Sequence, residues 1–341
     1  MALAAACALI MPPAAFIERA YSNGLFRYLQ PALTTVSNVV PFGLFDLVLV
    51  GIAVAVLVGV VRVFRAPRVE ALPFFLRLVM IAAGLTVWFF AAWGFNMRRQ
   101  PLRETLAFDS SGITASAAQA LAARAVEELN ALVPQLPETW PSDREMDGAL
   151  APAFAKAESL LGLPWHSVPA RPKTSLLSPY LRATGLNGMA IPFFGEAYLN
   201  ASLLDFERPY VVAHEWAHVA GRRNEHQAAF IGWLACMHGP AWARYSAWMR
   251  LYEYAFSDIP PDARGPVHAK LNRTTRRHFT ARFERATRGR VQMAAGLQRG
   301  AAAALGRAIT QEKSAADYGM VVQLVLGVQL AEVASLRTAP E

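Results

Sequence analysis

Two histidines and a glutamate stand at fixed spacing in His214-Glu215-Trp216-Ala217-His218. Apolar residues flank them, Tyr210-Val211-Val212-Ala213 before and Val219-Ala220 after, so the stretch reads as helix. Positions i and i+4 share a helix face, which sets the two imidazoles about one turn apart. That separation suits one Zn²⁺, with Glu215 beside it as a general base. Bound zinc lowers the pKa of a water toward ~7. Glu215 then takes the proton during attack on a carbonyl and returns it to the leaving amine. The competing reading is an ordinary surface helix. Trp216, Ala217, Val219 and Ala220 speak against it, because a buried helix that turns two imidazoles to one side must satisfy them.

Zinc hydrolases hold the metal with three protein ligands and leave one position open. Six residues after His218 stands Asn224, so a metzincin-type third histidine is absent. Seven residues after stands Glu225. On one straight helix that is ~10 Å along the axis, too far for a shared metal. Gly221 resolves the conflict as a helix C′ residue, with Asn224 as the N-cap of a following helix. The chain then turns back and brings Glu225 to His214 and His218. His226 is the rival ligand, but one residue on it points about 100° away. The only cysteines, Cys7 and Cys236, lie far apart, which excludes a disulfide framework and a zinc ribbon.

The segment from Met189 to Leu199 is short and extended, and its Pro and Gly residues mark an edge strand or hairpin. Such an edge can pair with a peptide by β-augmentation. Met189, Ala190, Ile191 and Tyr198 are the candidate substrate-binding residues; an ordinary structural hairpin is the alternative. An electrophilic helper for the oxyanion is expected. Tyr180, Tyr198, Tyr252, Tyr254, His238, His268 and Tyr318 all remain open for that role. Lys173 reads as a solvated lysine.

These residues need elements to hold them. The chain has 341 residues, 54% of them hydrophobic, with the apolar excess in the first hundred. Leu44 to Val61, interrupted only by Asp46, and Leu78 to Phe95 are each long enough to cross a bilayer. Residues 2–17 form a weaker span, broken by Pro12-Pro13. Arg62, Arg65, Arg68 and Arg77 lie between the two strong spans and place that loop in the cytoplasm. The chain after Phe95 then emerges outside, although Arg98, Arg99 and Arg103 argue the other way. The division is a membrane domain, 1–95, and a zincin-like metallopeptidase domain, 96–341. The fold class is mainly α (α+β): transmembrane helices, then a helical domain with a small edge sheet or hairpin. Helices are expected over 114–132, 147–161, 241–256 and 315–336, with 164–176 as loop and 320–330 as a core helix rather than a further span. The net charge is +8, with basic residues gathered from Arg264 to Arg290. No aromatic platform accompanies them, so a solvated face, or one near anionic lipid, is expected and nucleic acid is not.

The chain resembles the gluzincins, especially membrane metallopeptidases of the CaaX-protease and heat-shock type. The resemblance lies in His214 to His218, in Glu225-x-x-Ala228-Ala229, and in Asn187-Gly188-Met189-Ala190-Ile191-Pro192 as an edge strand. Ala229 stands where that pattern has an acidic residue. Over nearly the whole chain it also resembles a bacterial membrane family known only as domain of unknown function 3810. That likeness runs through Glu18-Arg19-Ala20-Tyr21-Ser22-Asn23, Pro41-Phe42, Trp93-Gly94-Phe95-Asn96, Gln100-Pro101-Leu102, Pro192-Phe193, Gly195-Glu196-Ala197, and the metal motif with Gly221, Glu225, Ala228 and Phe230. The resemblance implies a multi-pass protein of the bacterial inner membrane, with the lipid bilayer and a protein or peptide substrate as partners. Two activities fit: a zinc endopeptidase, and a zinc-binding membrane sensor or assembly protein that does not cleave. Glu215 favours the first, because a purely structural site needs no base.

Overall fold

The computed structural model describes residues 12–297 and 315–337. Most of the expected span at 2–17, Cys7 included, lies outside them. A π-helical segment, Ile17–Leu25, leads into α1 (Phe26–Val39). Two long helices follow, α2 (Leu44–Arg65) and α3 (Pro67–Ala92), joined at Ala66 with Pro67 in the first turn of α3. They form a hairpin whose helices meet where Gly59 faces the Phe74 ring; a Cβ at Gly59 would lie 2.2 Å from it. At 22 and 26 residues both are long and apolar enough to cross a membrane, and few of their residues are buried.

The second span differs from its expected bounds. Its helix starts at Pro67 and ends at Ala92, so Trp93 to Phe95 leave it. Gly94–Arg98 forms a 3₁₀ turn instead, with Gly94 packed against Phe89 and Phe90. Asp46 is buried at the start of α2, accepting from the Ser175 hydroxyl at 2.6 Å and the Leu176 N–H at 3.0 Å.

The remaining chain forms helices and a small sheet. In order these are α4 (Ala115–Leu132), α5 (Asp143–Leu160), β1 (Pro172–Lys173), α6 (Ser178–Thr184), β2 (Gly188–Ile191) and β3 (Glu196–Leu199). Then come α7 (Arg208–Val219), α8 (Glu225–Met237), α9 (Ala241–Asp258), α10 (Pro261–Ala269), α11 (Arg273–Leu297), α12 (Ala315–Gly327) and α13 (Ala331–Arg337). The caps explain two starts. Thr114 accepts from the Ala117 N–H ahead of α4, and Ser142 with Glu145 makes a capping box that opens α5 earlier than its apolar spacing suggests. In the sheet β3 is central, parallel to β1 and antiparallel to β2, with Met189 opposite Tyr198 and Ala190 opposite Ala197. β2 is therefore an edge strand, as its Pro and Gly flanks indicate. Strand β1 lies inside the segment expected to be loop; two residues are too short for a periodic signal.

Helix α8 is the centre of the body: every residue from Gln227 to Met237 is buried. It packs on α7, α9, α5 and α12. Trp216, Trp233 and Trp248 are almost fully buried, and Trp233 meets Trp248 edge to face at 6.0 Å. Such a pair adds about 0.5–1.5 kcal/mol to what burial alone contributes. Val321, Val322, Leu324, Val325 and Leu326 bury α12 in the core. That helix ends at Gly327, where Val328 bridges Phe108, so 315–336 is two helices rather than one.

Two charged features depart from the sequence reading. Lys173 is buried, not solvated: its Nζ donates to Glu196 Oε1 and to Ser37 Oγ, each at 2.8 Å. Glu196, itself buried, also accepts from the N–H groups of Leu44 and Phe45, so it holds the N-terminus of α2 to the sheet. In the basic cluster, Arg282 and Arg285 turn inward to Glu207 at 2.9 and 2.8 Å. Glu207 stands just before α7, so these arginines brace the motif helix rather than face solvent.

Candidate metal centre

Helix α7 carries His214, Glu215 and His218, with Pro209 in its first turn. It ends in a Schellman motif. The Gly221 N–H donates to His218 O and the Arg222 N–H to Ala217 O, both at 3.0 Å. Gly221 has φ +88°, and a Cβ there would lie 2.9 Å from Asn96 Cγ. Both the backbone conformation and the packing thus require glycine. Asn224 holds the N-cap position of α8, but its side chain makes no cap hydrogen bond; only its carbonyl is used, by the Ala228 N–H at 3.0 Å. Helix α8 then crosses closely under α7, where Gly232 lets the His214 backbone come within 2.9 Å of a would-be Cβ.

This geometry brings His214, His218 and Glu225 together, their ligand-type atoms all within 4.8 Å of one another. The two Nε2 atoms are 3.2 Å apart. Glu225 Oε2 is 3.3 Å from His214 Nε2, and Oε1 is 3.6 Å from His218 Nε2. Tetrahedral zinc, with bonds of about 2.0–2.2 Å, needs donor separations of about 3.3–3.6 Å. His218 Nδ1 lies 2.6 Å from Arg222 O. A carbonyl only accepts, so Nδ1 carries the proton and Nε2 presents its lone pair to the other ligands. Burial alone would lower the His218 pKa; the Glu225 carboxylate and the Glu215 charge raise it overall. Burial pushes Glu225 up, but the two histidines hold its carboxyl well below the usual range. The donor set, with His218 in the Nδ1–H tautomer, fits a zinc ion. His226 lines the same cleft but does not belong to the three-ligand group.

The cleft has a volume of about 310 Å³. Glu215 lines it and is buried to 5% exposure. Its carboxylate sits directly against Gly188 of β2: a Cβ there would be 2.5 Å from Oε1. Met189, Ala190 and Ile191 line the cleft beside it. Tyr198 does not. It is fully buried under the sheet with its hydroxyl donating to Glu196 Oε2 at 2.9 Å, which removes it from the substrate-facing set. The register sends it there, since it pairs with Met189 on the face that packs on Leu181 and Phe45.

Of the seven candidate helpers, Tyr254 alone lines the cleft among the described residues. Its hydroxyl is 3.2 Å from Tyr210 Oη and accepts from Arg250 Nη2 at 3.1 Å. Tyr252 is engaged with His268 at 3.1 Å, and the side chain of Tyr318 lies outside those described. Arg250, Asn187 and Trp93 also line the cleft; Asn187 and Trp93 stand in stretches that carry the resemblance, whereas nothing in the sequence marks Arg250. Trp93 Nε1 donates to His218 O at 2.8 Å. Behind it, the Arg99 guanidinium binds Glu18 at 3.1 Å and Ala220 O at 3.0 Å. The segments 18–23 and 93–99 therefore clamp the turn that aims His218.

Comparison with curated proteins and with solved structures finds no match. The family described as "Protein of unknown function (DUF3810)" matches residues 21–326, a stretch that contains Trp93 and Arg99 of the clamp, the hairpin, the sheet edge and all three ligand-type residues. The chain belongs to the DUF3810 family.

Proposed function

We propose that this protein is a membrane-anchored zinc-dependent endopeptidase whose metal ligands are His214, His218 and Glu225 and whose general base is Glu215. The observation that carries this reading is the conjunction in one cleft: two imidazole Nε2 atoms 3.2 Å apart with the Glu225 carboxylate within 3.6 Å of each, and the buried Glu215 carboxylate against the edge of β2. Bound zinc would polarise the scissile carbonyl and ready a water for attack. Glu215 removes the proton from the attacking water and delivers it to the leaving nitrogen. Met189, Ala190 and Ile191 bind the substrate backbone as an added strand and hold it extended against Glu215. Arg250 and Tyr254 donate to the developing oxyanion. The hairpin α2–α3 crosses the bilayer with its basic tip in the cytoplasm, leaving the body outside.

Zinc content and cleavage of a peptide library, measured together, test the assignment. Glu215→Gln should keep one zinc per chain and lose about 10²–10⁴-fold in rate. Glu225→Ala should lose the metal. Full zinc in Glu225→Ala overturns the ligand set. Undiminished cleavage by Glu215→Gln overturns the mechanism.

A further inference from the structure

Helix α1 has its polarity reversed. Its buried side chains are Phe26, Gln30, Thr34 and Ser37, and three of these four are polar. The body satisfies them. Gln30 donates to Val168 O at 2.8 Å and accepts from the Val168 N–H at 3.0 Å; Thr34 donates to Gly195 O at 3.0 Å. Ser37 accepts from Lys173 at 2.8 Å. The outward face is mainly apolar: Leu25 is 55% exposed, Tyr28 64%, Val36 64% and Val39 79%, with Ala32 between them and the exposed Thr35 hydroxyl among them. These positions recur at three- and four-residue intervals, so they form one stripe. Single exposed apolar residues are ordinary; a continuous face of them marks an interaction surface.

Two neighbours identify what meets that face. Along the chain the stripe passes to Phe42 and then directly to Leu47, Val50, Val54 and Leu57, the exposed apolar surface of α2. Exposed Arg27 stacks its guanidinium on the Tyr28 ring at 4.5 Å, which suits a cation reaching up to lipid headgroups from an apolar base. An apolar stripe that leads along the chain into a helix long and apolar enough to span, and that is edged by a cation, fits the bilayer itself.

We propose that α1 lies in the interface of the bilayer that α2 and α3 cross, with the Leu25–Tyr28–Val36–Val39 face seated among headgroups and upper acyl chains. This rests on the hairpin's spanning the membrane. It also defines the substrate class. Thr34 of α1 holds Gly195, and Trp88 of α3 donates to Phe193 O at 2.9 Å. The turn between β2 and β3 is thus pinned to both membrane elements, and Ile191, Pro192, Gly195 and Trp93 line the cleft. The cleft therefore opens next to the bilayer, and its substrate is a polypeptide segment lying against the membrane surface rather than a freely diffusing peptide.

Depth probes on the full-length chain test this. In a Cys7→Ser background, with buried Cys236 left in place, single cysteines replace Tyr28, Val36, Val39, Leu57, Phe75 or Glu138, each carrying a fluorophore. The proteins are reconstituted in phosphatidylethanolamine–phosphatidylglycerol vesicles and quenched by nitroxide lipids or by aqueous iodide. Probes at 28, 36 and 39, like those at 57 and 75, should show a ratio of lipid to iodide quenching several-fold above that at 138. Iodide quenching at 28, 36 and 39 with lipid quenching at 57 and 75 overturns the proposal and leaves the spanning hairpin intact. Protection of 28, 36 and 39 from both quenchers means that another protein or a second copy covers the face, which also overturns it. Iodide quenching at 57 and 75 removes the spanning hairpin and the proposal together.

Discussion

Glu215 has no room to move toward β2, because Gly188 already touches its carboxylate. Gly188→Ala forces a Cβ to within 2.5 Å of Oε1, and the flexible glutamate, not the strand, gives way. Zinc content should stay at wild type while kcat falls at least about tenfold, the cost of ~1.4 kcal/mol in the transition state. Unchanged kcat would show that Glu215 tolerates displacement and is not the base. Tyr254 makes a different prediction. Its hydroxyl lies in the cleft under the Arg250 guanidinium, at 3.1 Å. Tyr254→Phe should lower kcat by about 10²-fold, the scale of one oxyanion donor, with zinc retained. An effect confined to KM would reassign Tyr254 to ground-state binding.

At the scale of elements, the α7–α8 corner decides whether Glu225 can reach the histidines. Gly221 provides the left-handed residue of that corner, and Asn96 fills the space a Cβ would take. Gly221→Ala should cost at least about 1–2 kcal/mol for the left-handed conformation. The closer test is zinc affinity, which should fall several-fold as the corner relaxes; thermal melts with and without a chelator read both effects. Wild-type affinity in that variant would mean that the corner does not set the ligand geometry. Gly221 and the seven-residue offset were legible because helix periodicity and C-capping are local rules. The clamp on this corner was not, since Glu18 and Arg99 come from segments remote in sequence from Ala220.

At the scale of the whole molecule, charge is buried where the N-terminal segments meet the body. Glu158 on α5 is 2% exposed and accepts from the Ser167 N–H and hydroxyl, at 3.0 and 2.7 Å. Burial pushes its pKa up to about 7, against the opposing pull of Ser167, Arg99 and Arg222. The folded protein therefore binds a proton that the unfolded chain has already released between about pH 4.3 and 7. Stability from this group is complete at the acid end and is lost as pH rises through that window, by about 3–4 kcal/mol. Glu158→Gln keeps an acceptor for Ser167 and should flatten that slope in denaturant titrations at successive pH values. An unchanged slope would assign the pH dependence elsewhere, with Asp147, also raised to about 7, the next group to replace.

The sequence by itself determined the elements of the site. Helix periodicity sets His214 beside His218, a glycine and a cap position end one helix and begin the next, and Pro and Gly make the strand at 188–191 an edge. Each of these depends on residues within a turn or two of one another. Tertiary structure alone decided which distant groups share the cleft. It grouped Glu225 rather than His226 with the two histidines, placed Tyr254, Arg250 and Trp93 around that group, sent Tyr198 beneath the sheet, and buried Lys173 on Glu196. It also turned the apolar face of α1 outward, which composition could not reveal. Those outcomes follow from how helices and sheet pack around α8, and packing is set by contacts between residues far apart in the chain.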